Sequence, residues 1–371
     1  GTLGEHSEFI DNLRTGCEKS LYFFAKEVLG YTLLTPSLHK PVCEFLQEFP
    51  PYRKLILIPR DHFKTTMSQA FAIHLFIQPD GSNIYFPEGL GNLNHSEGAS
   101  TRILLASKTS DLAKVSLGAI TTQFEQNMLL RSLWPNVVWE NPRRQAKAWN
   151  NERIFLPRRE TIFKEASIET IGVGGTRTGY HFNVNLFDDL IDIEDRNSTA
   201  DMATAIEWYI ASRAFLEKVP EHKRQSLEVT TGTHWAVHDL YSYIKENEPS
   251  VEVYIRSIVE DGKPILPEKY SMEEIEAMKA SFGPLFPLLY MNNPIDPELV
   301  DFDMALIRTF RIEGSEIILE DDERDLLLAE KVSPGETPMR PRPDMRGRKL
   351  TPDVMNDIRG RREEYLRFRS R

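Results

Sequence analysis

The chain has 371 residues, of which 40% are hydrophobic and 27% are charged, and its formal net charge is −11. This composition is typical of a globular protein of one large or two smaller domains, and it excludes global disorder and a collagen-like or low-complexity chain. No run approaches the roughly 20 apolar residues of a membrane-spanning helix, and no secretory signal is present, so the sequence predicts a protein that works inside a cell without a membrane partner. Cys17 and Cys43 are too few for a disulfide framework and predict buried thiols.

Short apolar runs alternate with helical patterns along most of the chain. The predicted strands cover residues 54–58, 102–107, 168–173, 183–187, 227–231 and 251–255, and the predicted helices cover 65–77, 110–127, 200–216, 238–245 and 272–281. This alternation is typical of a mostly parallel sheet with helices on both faces, an α/β fold. Residues 80–100, rich in Gly, Asn and Ser, form either a functional loop or, as we favour, a tolerated surface insertion.

The sharpest chemical pattern follows the first predicted strand, where residues 59–66 read Pro-Arg-Asp-His-Phe-Lys-Thr-Thr and lead directly into a helix. A strand, a tight turn, Lys-Thr and a helix are typical of a phosphate cradle, because backbone N–H groups and the positive helix end face the anion. The lysine would reach the outer phosphates and the threonine would ligate Mg²⁺. The glycines of the usual G-x-x-x-x-G-K-[ST] pattern are missing, however, and a capped helix end is the plainer interpretation.

Two further strand ends carry polar residues that suit the same chemistry. Asp188 and Asp189 follow the strand at 183–187. In a nucleotide-hydrolysing site the first acid would hold Mg²⁺ and the second would polarise the attacking water, whereas turn-forming aspartates are the structural alternative. Thr231, Gly232 and Thr233 end another strand, where the hydroxyls would sense a γ-phosphate or only form a turn. The phosphate-loop pattern followed by the acid pair is much less expected by chance than either alone.

Taken together, these residues resemble the large terminase subunits of tailed bacteriophages, the ATPases that drive DNA into proheads. The resemblance covers roughly residues 30–295. It rests on the glycine-free loop at 59–66, on residues 171–182 running into the acid pair, on Thr-Gly-Thr at 231–233, and on lid-like segments at 265–270 and 290–294. It implies an ASCE-type P-loop NTPase core over residues 1–258, a small lid subdomain over 259–295 and a linker or appendage over 296–371.

The resemblance also implies ligands and site residues. ATP and Mg²⁺ would be the ligands, with the nucleotide bound by Arg60, Asp61, His62, Phe63, Lys64, Thr65 and Thr66, the metal by Thr65 and Asp188, and coupling to the lid by Thr231, Gly232 and Thr233. Asp189 stands where many relatives have a catalytic glutamate. Arg177 is the candidate for an arginine that reaches a neighbouring subunit's ATP, with Arg196 and Arg213 as alternatives. Residues 34–39 lie where relatives contact the adenine.

The implied function is an ATP-hydrolysing motor that translocates double-stranded viral DNA into a prohead without sequence preference. Its expected partners are the portal or prohead, the small terminase subunit and further copies of itself in a ring, in the cytoplasm of the host cell. Residues 296–371 are too few for the nuclease domain that usually follows, so we expect no DNA cleavage and a nuclease that was trimmed away or lies on a separate chain. A helicase-like or remodelling ATPase, and a nucleotide-binding assembly protein without turnover, stay open.

The end of the chain is basic, while the remainder is acidic. Residues 340–371 contain eleven Arg or Lys against five acids. Such a tail either is a solvated segment or contacts nucleic acid or a partner, and the two interpretations are equally supported. The consecutive acids at 320–325 predict a solvated run, because neighbours in sequence cannot all converge on one metal pair.

Overall fold

The computed structural model of the chain describes residues 3–79, 84–85, 100–157, 163–218, 226–294, 310–313 and 316–319. The chain divides into two compact units, residues 1–299 and residues 300–371. The predictions for most of the 80–100 insertion, for the acidic run at 320–325 and for the basic tail at 340–371 lie outside the described residues.

Strands and helices alternate through the first unit from residue 53 onward. In chain order its elements are α1 (Leu3–Lys19), α2 (Leu21–Glu27), α3 (His39–Gln47), β1 (Arg53–Leu57), α4 (Lys64–Ile77), β2 (Ile103–Ser107), α5 (Ser110–Gln126), α6 (Met128–Leu133), α7 (Pro142–Gln145), β3 (Arg153–Ile154), β4 (Ile168–Gly172), β5 (Val184–Asp188), α8 (Ile193–Arg196), α9 (Thr199–Ser212), β6 (Leu227–Gly232), α10 (Leu240–Asn247), β7 (Val251–Ile255), β8 (Val259–Glu260), β9 (Lys263–Pro264), α11 (Met272–Phe282) and α12 (Phe286–Leu289). The second unit contains the antiparallel hairpin β10 (Phe310–Glu313) and β11 (Glu316–Leu319).

Seven strands form one sheet in the order β3-β4-β2-β5-β6-β1-β7, and every pair is parallel except β3 with β4. The six predicted strands are confirmed to within one residue at each end. β6 lies between β1, which leads into the 59–66 loop, and β5, which ends in Asp188. β6 therefore separates these two strands, and the predicted α/β fold with a mostly parallel sheet is confirmed.

The register of the central strands brings their carboxyl ends level with one another. β1 pairs with β6 from Arg53 opposite Glu228 to Leu57 opposite Gly232. On its other edge β6 pairs with β5, which sets Asp188 opposite Thr231. The three sequence patterns that suggested a nucleotide site therefore emerge at the same edge of the sheet.

Two hydrophobic cores, one on each face, cover the sheet. Ile56 and Ile58 pack with side chains of α2, α4 and α5, whereas Leu55 and Leu57 pack with side chains of α9, α10 and α12. This alternation is the ordinary geometry of a strand, whose successive side chains point to opposite faces. Helices therefore cover both faces, as predicted. Among the described residues no helix is both long and apolar enough to cross a bilayer.

Two predicted helices end or begin at different residues from those expected. The helix predicted at 200–216 ends at Ser212, because the chain then turns so that the Phe182 N–H can donate to the Phe215 carbonyl at 2.7 Å. The helix predicted at 238–245 begins at Leu240, because the Asp239 carboxylate accepts the Ser242 N–H and caps it. Both boundaries depend on specific hydrogen bonds, which the helical periodicity of the sequence does not predict.

Gly232 allows a close approach at the end of β6. A β-carbon at this position would overlap the ring and hydroxyl of Tyr241, which is fully buried in α10. The Tyr241 hydroxyl accepts the backbone N–H of Leu190 at 3.2 Å. Since Leu190 directly follows the acid pair, the absence of a side chain at 232 helps to fix the turn that carries Asp189.

We expect Gly232→Ala to lower the free energy of unfolding by about 2–3 kcal/mol, because the new methyl group overpacks the Tyr241 ring. Gly118→Ala is the matched control, since no atom of another part of the described structure lies within 4 Å of its β-carbon position in α5. Alanine is the better helix former there and should stabilise the protein by about 0.5–1 kcal/mol. Urea unfolding of both variants measures the difference, and equal stabilities would contradict the overlap.

Candidate functional site

A cavity of about 460 Å³ opens at the carboxyl ends of the parallel strands, the edge at which open α/β sheets bind ligands. Several predicted site residues line it: Arg60, Asp61, Phe63, Lys64, Thr65, Thr66, Asp189 and Thr233. Lys108, Leu112, Ile191, Asp192, Trp235 and Lys269 complete the wall and were not predicted. The loop after β1, the turn after β5 and the segment after β6 thus share one cavity.

The loop between β1 and α4 takes an unusual backbone conformation for its sequence. Asp61 has a φ of 62° and Phe63 a φ of 61°, both in the left-handed region that favours glycine. Each such residue costs about 1–2 kcal/mol. Phe63 is also the N-cap of α4 and offers no side-chain acceptor, so the first turn of α4 keeps N–H donors that suit an anion. The loop thus enters α4 through two left-handed residues, neither of which is glycine.

His62 lies between these two residues but does not line the cavity. Its side chain is fully buried, and its Nδ1 lies 2.8 Å from the Arg60 carbonyl oxygen. Burial lowers the pKa of His62 to about 4, so the ring is neutral at physiological pH. The structure therefore places His62 behind the loop, where it contacts the protein and not the cavity.

Lys64 joins the three sequence patterns. Its ammonium group lies 3.1 Å from the Asp189 carboxylate and donates to the Thr233 hydroxyl at 3.2 Å. The lysine side chain is only 8% exposed, whereas that of Asp189 is 40% exposed towards the cavity. A cation that is nearly buried needs such partners, because an unpaired buried charge is very unfavourable.

Asp188 lies next to Asp189 in the sequence, but its side chain is buried, whereas that of Asp189 is exposed to the cavity. The Asp188 carboxylate accepts the Thr231 hydroxyl at 2.6 Å, and Thr65 is a second hydroxyl donor. Burial and the neighbouring charge of Asp189 raise the pKa of Asp188 to about 6, although Lys64 and the two hydroxyls oppose the shift. Nearby positive charge would favour the ionised form of this carboxylate.

The oxygen donors at this position fit Mg²⁺. Mg²⁺ prefers hard oxygen ligands and in nucleotide sites takes one or two carboxylates together with phosphate oxygens and water. Asp188 and Thr65 supply such oxygens. Within the described ranges, no group of three or more His, Cys, Asp or Glu side chains is placed to hold a metal by itself. A metal at Asp188 would accordingly depend on a bound phosphate.

Backbone hydrogen bonds fix the position of Asp189. The residue has a left-handed φ of 48°, its N–H donates to the Thr231 carbonyl at 3.0 Å, and its carbonyl accepts the Lys108 N–H at 2.9 Å. The carboxylate consequently reaches the cavity from a turn that is held by β6 on one side and by the end of β2 on the other.

None of the three candidate arginines lines the cavity. Arg177 donates to the Thr170 carbonyl at 2.7 Å, and its Nε lies 3.5 Å from the Glu169 carboxylate. Arg213 is paired with Glu248. The residues expected near the adenine, 34–39, also lie outside the lining, although His39 meets the Phe63 ring edge-on with ring centres 5.6 Å apart.

Two of the unpredicted lining residues are cations. Lys108 directly follows β2 and forms an ion pair with Asp195, while Lys269 precedes α11 and donates to the Asp61 carbonyl at 2.6 Å. Lys108 could have been found from the sequence, since a residue that ends a parallel strand lies at the ligand-binding edge. Lys269 had no such signal, because its position depends on a contact across 208 residues of chain.

No protein-family model and no curated protein matches the sequence. Among solved structures the chain is similar to a mutant ATPase domain of the large terminase of Thermus phage P74-26, with 12% identity, a TM-score of 0.41, and 71% of this chain and 95% of that one covered. It is similar to the large terminase of bacteriophage HK97, with 16% identity, a TM-score of 0.42, and 70% of this chain and 50% of that one covered. It is also similar to S. cerevisiae Dbp5 bound to Nup159, Gle1, IP6 and ADP, with 13% identity, a TM-score of 0.33, and 64% and 52% covered. The chain thus spans about half the length of the latter two proteins.

Hydrogen bonds to the buried Asp239 carboxylate hold the segment that follows Thr233. Asp239 lies 3.0 Å from the Nδ1 of His234 and also accepts the backbone N–H groups of Trp235 and Ser242, both at 2.9 Å. Burial acts to raise the pKa of Asp239, but the hydrogen bonds from His234, Ser242 and Trp235 outweigh it and leave the pKa below its usual value. The carboxylate is therefore stabilised in its ionised form.

We expect Asp239→Ala to lower the free energy of unfolding by about 2–4 kcal/mol at pH 7, because it removes an N-cap and leaves buried donors unpaired. The folded pKa is depressed, so this contribution is present above the unfolded pKa of about 3.9 and is lost as pH falls through the folded value. Denaturant unfolding at pH 7 and pH 3.5 should show the difference between parent and variant shrinking. Asp111→Ala, which changes an exposed acid of α5, is the control and should stay within about 0.5 kcal/mol.

Proposed function

We propose that the chain binds ATP with Mg²⁺ in this cavity and hydrolyses it. The observation that carries the proposal is the convergence of three separate segments on one cation, since the Lys64 ammonium group lies 3.1 Å from the Asp189 carboxylate and 3.2 Å from the Thr233 hydroxyl. Lys64 and Arg60 would neutralise the triphosphate, whose oxygens would also accept N–H groups of the first turn of α4. Asp188 and Thr65 would hold Mg²⁺, which reduces the charge that develops on the transferred phosphoryl group.

Hydrolysis in this arrangement requires Asp189 as the base. A water oxygen forms a bond to the γ-phosphorus, the bond from that phosphorus to the β–γ bridging oxygen breaks, and the proton of the water passes to the Asp189 carboxylate. In the structure this carboxylate is paired with Lys64. A γ-phosphate gives the ammonium group a competing anion, so nucleotide binding itself would free Asp189 and Thr233 from Lys64. Thr231 and Thr233 would then couple the release of phosphate to a movement of the predicted lid, residues 259–295.

The finer proposal is a motor that translocates double-stranded viral DNA into a prohead. It is supported by the sequence resemblance described above. In this proposal the chain works in a homo-oligomeric ring with the portal and the small terminase subunit in the host cytoplasm and grips the DNA backbone without sequence preference. Arg177 then acts on the ATP of a neighbouring copy, in keeping with its place outside its own cavity.

One observation favours a second candidate function, a nucleotide-binding assembly protein without turnover. Asp189 replaces the longer glutamate and is engaged by Lys64. If a bound nucleotide does not free the Asp189 carboxylate from Lys64, the site binds ATP without hydrolysing the nucleotide. Phosphate release measured with saturating ATP and Mg²⁺, with and without DNA and proheads, separates the two, since the second candidate predicts none under any condition.

We expect Asp189→Asn to reduce turnover by at least about 100-fold while nucleotide affinity changes little, because it removes a base and leaves the phosphate contacts. Lys64→Ala should abolish binding as well. Phosphate release and titration with a fluorescent ATP analogue measure the two effects, and Thr122→Ala on the exposed face of α5 is the control. An Asp189→Asn protein that turns over ATP like the parent would remove Asp189 from the mechanism.

We expect a mixture of Arg177→Ala and Lys64→Ala chains to recover turnover that neither has alone. In a ring, some interfaces then combine an intact Lys64 with an intact Arg177 from the neighbouring copy, about a quarter of them under random mixing. A mixture of Lys64→Ala with Asp189→Asn is the control and should stay inactive, because both residues belong to the same site. Recovery in neither mixture would exclude Arg177 as the residue supplied by the neighbour.

A further inference from the structure

We propose that Lys269 and Tyr270, in the segment before α11, are positioning residues that hold the 59–66 loop in its nucleotide-binding conformation. This inference rests on the proposed function, since it concerns the same site. In the usual phosphate-binding pattern glycines adopt the left-handed conformations without strain, so no other side chain has to hold the loop. Here two side chains would do so.

The loop needs external support because its own sequence does not favour its shape. Asp61 and Phe63 are both left-handed although neither is glycine. Non-glycine residues persist in this region only where the surrounding structure determines the conformation. The part of the protein that provides this constraint should therefore contact these residues directly.

Lys269 contacts both strained residues. Its ammonium group donates to the Asp61 carbonyl at 2.6 Å and lies 4.9 Å from the centre of the Phe63 ring. Tyr270 contacts the residue between them, since its ring stacks on His62 with centres 5.3 Å apart and planes 23° apart. Two consecutive side chains thus reach three consecutive loop residues.

The segment that carries these two residues is itself anchored. The backbone N–H groups of Lys269 and Tyr270 both donate to the Leu266 carbonyl at 3.0 Å. Leu266 is 1% exposed and packs in a small core with Ile265 and Leu38, against which Phe63 also rests. A rigid support is what a positioning role requires.

A second contact restrains the start of the same loop. The Arg60 N–H donates to the Leu289 carbonyl at the end of α12, at 3.1 Å. Residues on both sides of α11 therefore reach the loop, and the constraint comes from the 265–290 region as a whole. Lys269 also lines the cavity and has three donors, so it can contact a phosphate as well as the Asp61 carbonyl.

Ordinary packing would give some of the same contacts, and a rescue experiment distinguishes the two explanations. Glycine at position 61 adopts the observed φ without strain, so it should make the loop less dependent on Tyr270. If Tyr270 only fills space, the effect of its removal should be the same with Asp or Gly at 61. The double-mutant cycle isolates this coupling.

The experiment uses the full chain and a non-hydrolysable fluorescent ATP analogue with Mg²⁺. Tyr270→Ala should weaken binding about tenfold if the loop keeps its conformation in about a tenth of the molecules. Lys269→Met, which keeps the length of the side chain and removes the donor, should also weaken binding. Tyr270→Phe retains the stacking ring and Tyr243→Ala removes a tyrosine of α10, so both should stay near the parent. In the Asp61→Gly background the loss caused by Tyr270→Ala should fall to about threefold or less.

Hydrogen exchange without nucleotide supplies a readout that does not depend on binding. The amides of residues 60–66 should exchange faster in Tyr270→Ala than in the parent or in Tyr270→Phe. If the parent binds nucleotide and Tyr270→Ala binds equally well with unchanged exchange, this inference is overturned and the proposed function stands. An undiminished loss in the Asp61→Gly background overturns it too. If the parent binds no nucleotide, both the proposed function and this inference fail.

Discussion

The side chain of Lys64 is nearly buried, and the arrangement of the site depends on how its charge is stabilised there. A charge removed from water must find opposite charge and hydrogen-bond acceptors close by. The chain provides them from two other strand ends, as the Asp189 carboxylate and the Thr233 hydroxyl. The strand order places those ends side by side, and the turn at Asp189 and the contact of Gly232 with Tyr241 refine the fit. A triphosphate would enter a site whose cation already has exchangeable partners.

Adjacent acids in the sequence acquire different chemistry from their surroundings. Asp188 points into the protein, accepts hydroxyl donors and has a raised pKa, whereas Asp189 is half-exposed and ion-paired. Environments that separate two carboxylates in this way are a common means of assigning distinct roles to like residues. The burial of Asp188 would suit the proposed role of metal ligand, and the exposure of Asp189 to the cavity would suit the proposed role of base.

The sequence predicted the strands and the three patterns at their ends, because apolar runs and polar strand ends are local signals. It did not predict the support of the loop. Lys269 lies 208 residues from Asp61, and no periodicity connects them. Phe63 stands directly before Lys64, where the usual pattern has a glycine, and only the backbone shows that this phenylalanine takes a left-handed conformation that favours glycine. Likewise α9 ends shortly before Phe215, whose carbonyl accepts the N–H of the distant Phe182, and helix propensity does not encode that contact.

The position of β6 in the sheet determines how the ends of β1 and β5 are aligned at the site. β6 is paired residue by residue with β1 on one edge and with β5 on the other. A slip of one residue along either edge would displace a strand end by about 3.3 Å and turn its side chains to the opposite face. That displacement exceeds the distance over which Lys64 and Asp189 meet. Contacts from neighbouring residues can compensate for a substitution in the 59–66 loop. An inserted or deleted residue in β6 would instead move the Lys64, Asp189 and Thr233 side chains out of contact.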